Sequence, residues 1–189
     1  HQFAGPDQAG LYAAIMPLSL TWAVIPTALQ VSLAPSIARL KQEDEAAYRE
    51  ALVRVFRLFF VFGLTVSVCT AAVSGPLVGL LYGPEYAGAS SLLAVHVFTN
   101  VFVSLGIAHT IWVVNERRLT VRLWGNLAAA TFAVMANVWL VPVHGPMAAA
   151  WVAIGAQVLA AVGVNAVLAR ESLWLQVQAI TGLRVGTPR

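Results

Sequence analysis

Charge is what this chain has least of. Of its 189 residues, 10% are Asp, Glu, Lys or Arg and 59% are hydrophobic, giving a mean hydropathy of +0.78. A water-soluble domain carries about a quarter charged residues, because its core has to be wrapped in polar surface. The deficit excludes an ordinary soluble domain and makes a membrane protein the expected class. Cysteine is equally scarce: Cys69 stands alone, so the sequence can form neither an internal disulfide nor a thiolate metal cluster. Set in an apolar run, it reads as a small buried hydrophobe. GxxxxGK[ST], HExxH, GxSxG and CxxC are all missing, which removes a P-loop and the common hydrolase, zinc and redox signatures. No metal and no cofactor are expected. The opening HQFAGPDQAG lacks the basic and apolar regions of a secretory signal. A chain that begins at His1 is expected to be a piece of a longer protein.

What charge there is divides the chain. Residues 8–38, 58–84, 86–115 and 123–169 carry no Asp, Glu, Lys or Arg. About twenty apolar residues cross a bilayer as a helix, so the first three stretches each hold one span. The fourth is long enough for two, with PVHGP at 142–146 as the turn between them. The expected fold is all-α, a polytopic transmembrane bundle with spans near 11–35, 54–82, 88–114, 121–142 and 146–169. A cytoplasmic tail follows over 171–189. Its segment SLWLQVQAI, 172–180, could lie on the membrane surface through Trp174.

If the spans alternate, every cation falls on one side. Arg39, Lys41, Arg49, Arg54 and Arg57 flank one loop, Arg117, Arg118 and Arg122 a second, and Arg170, Arg184 and Arg189 the tail. The other side has Asp7, Glu85 and His144. Lys and Arg are retained in cytoplasmic loops, so the cationic side is expected to face the cytoplasm, with the start of the chain outside. The turn Tyr82-Gly83-Pro84-Glu85-Tyr86 then faces outward, its two rings suited to the bilayer–water boundary. The net charge of +3 is thereby a topology signal. There is no basic stripe on a soluble helix, and nucleic acid is not an expected partner.

Two kinds of residue stand out at membrane depth. Pro17, Pro26 and Pro35 recur every nine residues through the first span, and Gly75-Pro76 interrupts the second. Each interior proline frees a carbonyl that lipid cannot satisfy, so these helices must pack on protein or line a wet cavity. Then come polar side chains. His96, Thr99 and Asn100 share a face of the third span, with His109 roughly opposite. Asn126 and Asn137 share a narrow stripe of the fourth, with Arg122 at its basic end, and Gln157 and Asn165 lie on the fifth. Amides among small residues suit helix–helix contacts, whereas ionisable groups at depth mark pathways. Arg54 and Arg57, three apart on the second span, either snorkel to headgroups or offer guanidinium groups to an anion. Upstream of them, Lys41 to Phe60 reads as a solvated loop entering a helix, with Glu50–Arg54 as an i, i+4 pair.

Three stretches, AGLYAAIMPLSLTWAVIPTALQVSLAPSIARL, GLLYGPEYAGASSLLAV and WGNLAAATFAVMANVWLVPVHGPMAAAWVAI, resemble the C-terminal half of the polysaccharide flippases. These are the O-antigen and exopolysaccharide transporters of the multidrug/oligosaccharidyl-lipid/polysaccharide exporter superfamily. The resemblance rests on Gly10 and Tyr12 at a span entry, Pro35 before a loop, Leu80 to Tyr86 at a turn, and Asn126, Asn137, Pro142 and Gly145. It runs from about Gly5 to Arg170. It implies one of two helical lobes around a central cavity, with the N-terminal lobe missing. The implied partners are the lipid bilayer and undecaprenyl-diphosphate-linked oligosaccharide, moved across the bacterial cytoplasmic membrane without bond chemistry. A polar, cationic route for such a head would draw on Arg54, Arg57, His96, Asn100, Asn126 and Asn137, because each desolvated hydroxyl without a partner costs about 2–7 kcal/mol. The alternatives are a multidrug or peptidoglycan-precursor exporter of the same superfamily, a membrane-embedded polysaccharide polymerase or ligase, and a structural membrane subunit.

Overall fold

The computed structural model describes the backbone of residues 6–182 and the side chains from Gly10 onward. The side chain of Asp7, and Arg184 and Arg189, lie outside the described residues. The described chain is helical throughout, and five of its helical stretches are long and apolar enough to cross a membrane: Gly10–Glu43, Glu45–Ala72, Ala89–Asn115, Leu119–His144 and Pro146–Leu168. It is a polytopic all-α bundle, as its hydropathy predicts.

Most of these stretches are jointed. The first is α1 (Pro6–Leu20), a 3₁₀ turn at Thr21–Ala23, then α2 (Val24–Glu43). The joint falls between Pro17 and Pro26, each of which lacks the N–H that an uninterrupted helix would use. The second is α3 (Glu45–Ala72), broken at Val73 and continued by α4 (Ser74–Tyr82). Gly75-Pro76 lies in the first turn of α4, where a missing N–H costs least. The third is α5 (Ala89–His96) and α6 (Thr99–Asn115), parted at Val97 and Phe98. The fourth, α7 (Leu119–His144), runs unbroken, with Pro142 inside it. The fifth is α8 (Pro146–Val158), a π turn at Leu159–Gly163, and α9 (Val164–Leu168). A last helix, α10 (Arg170–Thr181), follows.

The connection between the first two spans differs from expectation. Where a solvated loop was predicted, the chain reverses in one residue. Asp44 takes an extended conformation (φ −153°, ψ 103°), and its Oδ1 accepts from the N–H groups of Ala46 and Ala47 at 2.9 and 3.0 Å. That is an N-cap, and it starts α3 nine residues before the predicted boundary at 54. The charges there cross-link helix ends. Lys41 Nζ meets Glu45 at 2.9 Å and Glu116 at 2.8 Å, and the Tyr48 hydroxyl donates to Glu116 at 3.1 Å. Glu45 also takes Arg49 at 3.1 Å, while Glu50 and Arg54 form no ion pair among the described residues. This network ties the start of α3 to the ends of α2 and α6, so these three termini form one basic end of the bundle.

At the other end both turns use the same chemistry. Gly83 (φ 90°) closes α4 and Gly145 (φ 69°) closes α7. A residue at positive φ turns the chain off the helix axis, and glycine adopts it without steric cost. Pro84 and Pro146 come next, each at the first position of the following helix, where proline's fixed φ suits the entry. Pro142 therefore does not stop α7; Gly145 does. Tyr82 is not simply an interfacial ring: its hydroxyl donates to the Ala14 carbonyl at 2.8 Å, pinning this Gly-Pro end of the bundle to α1.

The core is built around α3 and α6. On α3 the buried residues Tyr48, Leu52, Val55, Phe59, Gly63, Ser67 and Thr70 recur every three or four positions, one stripe of a helix. The third span is the centre, with 56% of its most apolar window buried; the fourth is the periphery, with 6%. Cys69 falls off the buried stripe and is exposed, contrary to the expectation of a core position. The Gly63 position lets α3 touch α6: a Cβ there would sit 2.8 Å from the Asn100 carbonyl oxygen. Helix α10 packs on α3 through Leu175 and Ala179, both buried, so the segment 172–180 rests on protein as well as at the basic end.

Candidate functional site

Between the helix ends the polar side chains sort into two groups. The first knits the helix breaks together. His96 Nδ1 lies 2.9 Å from the Ser19 hydroxyl, and the Asn100 amide donates to the Ser19 carbonyl at 2.9 Å and to the Val97 carbonyl at 3.0 Å. Ser67 reaches across from α3 to the same Val97 carbonyl at 2.9 Å, and Thr99 donates to the His96 carbonyl at 2.8 Å. Where α1 gives way to the 3₁₀ turn and α5 to α6, the regular ladder is interrupted, and these side chains supply partners that lipid cannot. His96 also stands edge-on to the Tyr12 ring at 5.6 Å. Both predicted residues, His96 and Asn100, are buried and bonded here.

The second group is left open. A cavity of about 200 Å³ is walled by α6, α7, α8 and the π turn, with His109, Arg122, Asn126 and Gln157 among its lining residues. Arg122 and Asn126, four apart, share a face of α7. Opposite them, Phe102, Gly106 and His109 recur at three or four residues along α6. The π turn contributes Ala160 and Ala161. An added residue in a helical turn shifts the face presented on either side, and such turns recur at functional sites. Gly125 lets α7 come close to it: a Cβ there would lie 3.2 Å from the Ala160 oxygen.

The chemistry of this cavity is cationic and hydrogen-bonding. The Arg122 guanidinium donates to the Thr110 hydroxyl, which in turn donates to the Gly106 carbonyl at 3.1 Å, so the charge is held by α6 rather than left to wander. His109 is 5% exposed and stacks on Trp112 at 5.3 Å, yet its Nε2 has no hydrogen-bond partner among the described residues. Asn126 and Gln157 add amides that can donate or accept. No Asp or Glu lines the cavity, and among the described residues no three His, Cys, Asp or Glu gather as a metal site. The arrangement can hold an anion and the hydroxyls beside it; it lacks the carboxylate pairs of acid–base catalysis.

The other expected site residues are dispersed. Arg54 is exposed near the basic end of α3. Arg57 is tied to α10, its Nε donating to the Ala179 carbonyl at 3.0 Å. Asn137 lies farther along α7, its Oδ1 buried without a partner. Of the six, only Asn126 lines the cavity. The residues that join it, His109, Arg122 and Gln157, were visible as polar positions on their helices. A single helix shows which positions share a face, not which neighbour that face meets.

The family model described as "Polysaccharide biosynthesis protein" matches residues 2–91, just under half of the chain. The match covers the first two spans and the start of α5, where the sequence resembles the polysaccharide flippases, and stops short of the helices that wall the cavity. No curated protein and no solved structure matches the chain. This match and the membrane-helix architecture together fit a polysaccharide-related membrane protein.

Proposed function

From a membrane bundle whose first half matches the polysaccharide biosynthesis family, we propose that this chain is one lobe of a transporter. It flips undecaprenyl-diphosphate-linked oligosaccharide across the bacterial cytoplasmic membrane, for O-antigen or exopolysaccharide synthesis, without making or breaking bonds. The lobe acts with an N-terminal lobe of the same protein. Its basic end, with Arg54, Arg117 and Arg118, faces the cytoplasm, and the Gly83-Pro84 and Gly145-Pro146 turns face outward. The single observation that carries this reading is the cavity in the basic half. There one fixed guanidinium, two amides and an unpartnered imidazole nitrogen line one space, while Ser19, Ser67, His96 and Asn100 farther along the bundle bond at helix joints.

Guanidinium matches phosphate oxygens with several donors in one plane, and amides replace the water that sugar hydroxyls give up. An exporter of cationic drugs would want carboxylates where this cavity has Arg122. In the full-length transporter, Arg122→Gln should lower flipping of lipid-linked oligosaccharide in proteoliposomes about tenfold or more, the loss of one charge-assisted contact worth roughly 1.5–3 kcal/mol. Flipping at the unaltered rate, at equal protein level, would remove the cavity from the mechanism. Arg54→Ala measured in parallel separates a cytoplasmic recruiting charge from a solvated one: undiminished surface polysaccharide takes Arg54 out of the path.

A further inference from the structure

The bundle has two apolar cores rather than one. Ile15 of α1, Val78 of α4, Leu92 and Leu93 of α5 and Ala150 of α8 form a core at the Gly-Pro end. A larger core joins Ile37 of α2, Leu52 to Phe59 of α3 and Leu105 to Val113 of α6 at the basic end. Along each of the first three spans, buried polar residues fall between the two. They are Ser19 on the first, Ser67, Thr70 and Ser74 on the second, and His96, Thr99, Asn100 and Ser104 on the third. The three covalent links between the cores through these spans are all helix breaks: Thr21–Ala23, Val73, and Val97 with Phe98.

We propose that α1, α4 and α5 form a cap that moves as one unit on the bundle of α2, α3 and α6, with the polar layer as its seat. Three physical features favour this over a rigid rod. Bending a helix costs least where its ladder is already interrupted. The contacts of α5 with α1 and α4 travel with the cap, so a tilt slides the cap along α8, whose Ala150 joins its core, and along α3. The seat is held by a few directional bonds, Asn100 to the Ser19 carbonyl and Ser67 to the Val97 carbonyl, which can break and remake in a way that interdigitated side chains cannot. Tyr82, bonded to the Ala14 carbonyl, ties α4 to α1 and makes the cap a unit. The unbroken α7 leans on α8 beside it and serves as the fixed strut. This motion lies within the lobe and does not depend on the identity of the cargo.

Hydrogen–deuterium exchange on the full-length, unaltered protein in lipid nanodiscs tests it. Amides of 10–20, 74–82 and 89–96 should exchange at a common rate, about tenfold or more faster than those of 48–67 and 100–113, as expected of one cooperative unit of lower stability. Unrelated rates for the three cap helices, or rates as slow as those of α6, would overturn the proposal. Asn100→Leu provides the second arm. Exchange should rise severalfold in the cap and stay unchanged in 48–60. A rise throughout the chain, or none in the cap, speaks against a seated cap. Cargo transport is not read in either arm, so failure here is distinct from failure of the transporter reading.

Discussion

The layer around Ser19 and Asn100 is buried, whereas the cavity around Arg122 opens to the surface past exposed Arg122 and Asn126 with His109 buried at its wall, and the two polar regions have opposite accounts. In the layer the breaks after Ser19 and at Val97 are met by side chains at hydrogen-bond distance. In the cavity a nine-tenths-buried histidine keeps a bare ring nitrogen, and two amides make no hydrogen bond among the described residues. A polar group in lipid that is fully paired contributes to one structure; a polar group left unpaired lowers stability and is kept where something else will bind it. The difference teaches which intramembrane polar residues are scaffold and which are open for use.

That comparison is easiest to break at Gly63. Placing a Cβ 2.8 Å from the backbone of Asn100 and Val101 leaves no flexible neighbour to yield, so Gly63→Ala should cost about 2–3 kcal/mol. The loss would be read as a lower thermal midpoint of the full-length protein in detergent, and an unshifted midpoint would mean that the two helices are not seated on each other as described. Next come the two histidines, which the comparison sets against each other. His96→Leu strands the Ser19 hydroxyl and should destabilise by about 1–2 kcal/mol. His109→Leu removes a buried nitrogen that has no protein partner, and should leave the midpoint unchanged or higher. Equal losses at both positions would erase the distinction between layer and cavity. Ser67→Ala, which removes one neutral bond to the Val97 carbonyl, should cost about 0.6 kcal/mol, near the average for such bonds in lipid. The smallest expected effect is at Arg54, exposed and without an ion-pair partner among the described residues: Arg54→Ala should not move the midpoint measurably.

Much of the architecture is legible from residue order. The uncharged runs give five spans because a bilayer excludes charge, and the Gly-Pro pairs at 83–84 and 145–146 mark two turns because glycine and proline suit those two adjacent backbone conformations. Less legible is where a helix begins when charges themselves form it. Glu45, Arg49 and Arg54 look like a loop beside an apolar run, but Asp44 caps a helix through them and Lys41 and Glu116 draw Glu45 and, through it, Arg49 into a network. Charged residues pass as loop signals only while their partners are unseen. The candidate site shows the same gap. Asn126 stands out on its own helix, whereas Arg122 and His109 acquire meaning only when α7 is laid beside α6.

The sequence by itself determined the membrane class, the five crossings and the segregation of cations, because those follow from transfer of each stretch out of water and need no neighbour. Only the tertiary structure decided that His96 and Asn100 would be consumed in holding two broken helices together. It also left His109, Arg122, Asn126 and Gln157 facing a shared space. The physical reason is that hydrogen bonding at membrane depth depends on distance and direction between different helices, and neither is encoded in the order of residues along one of them.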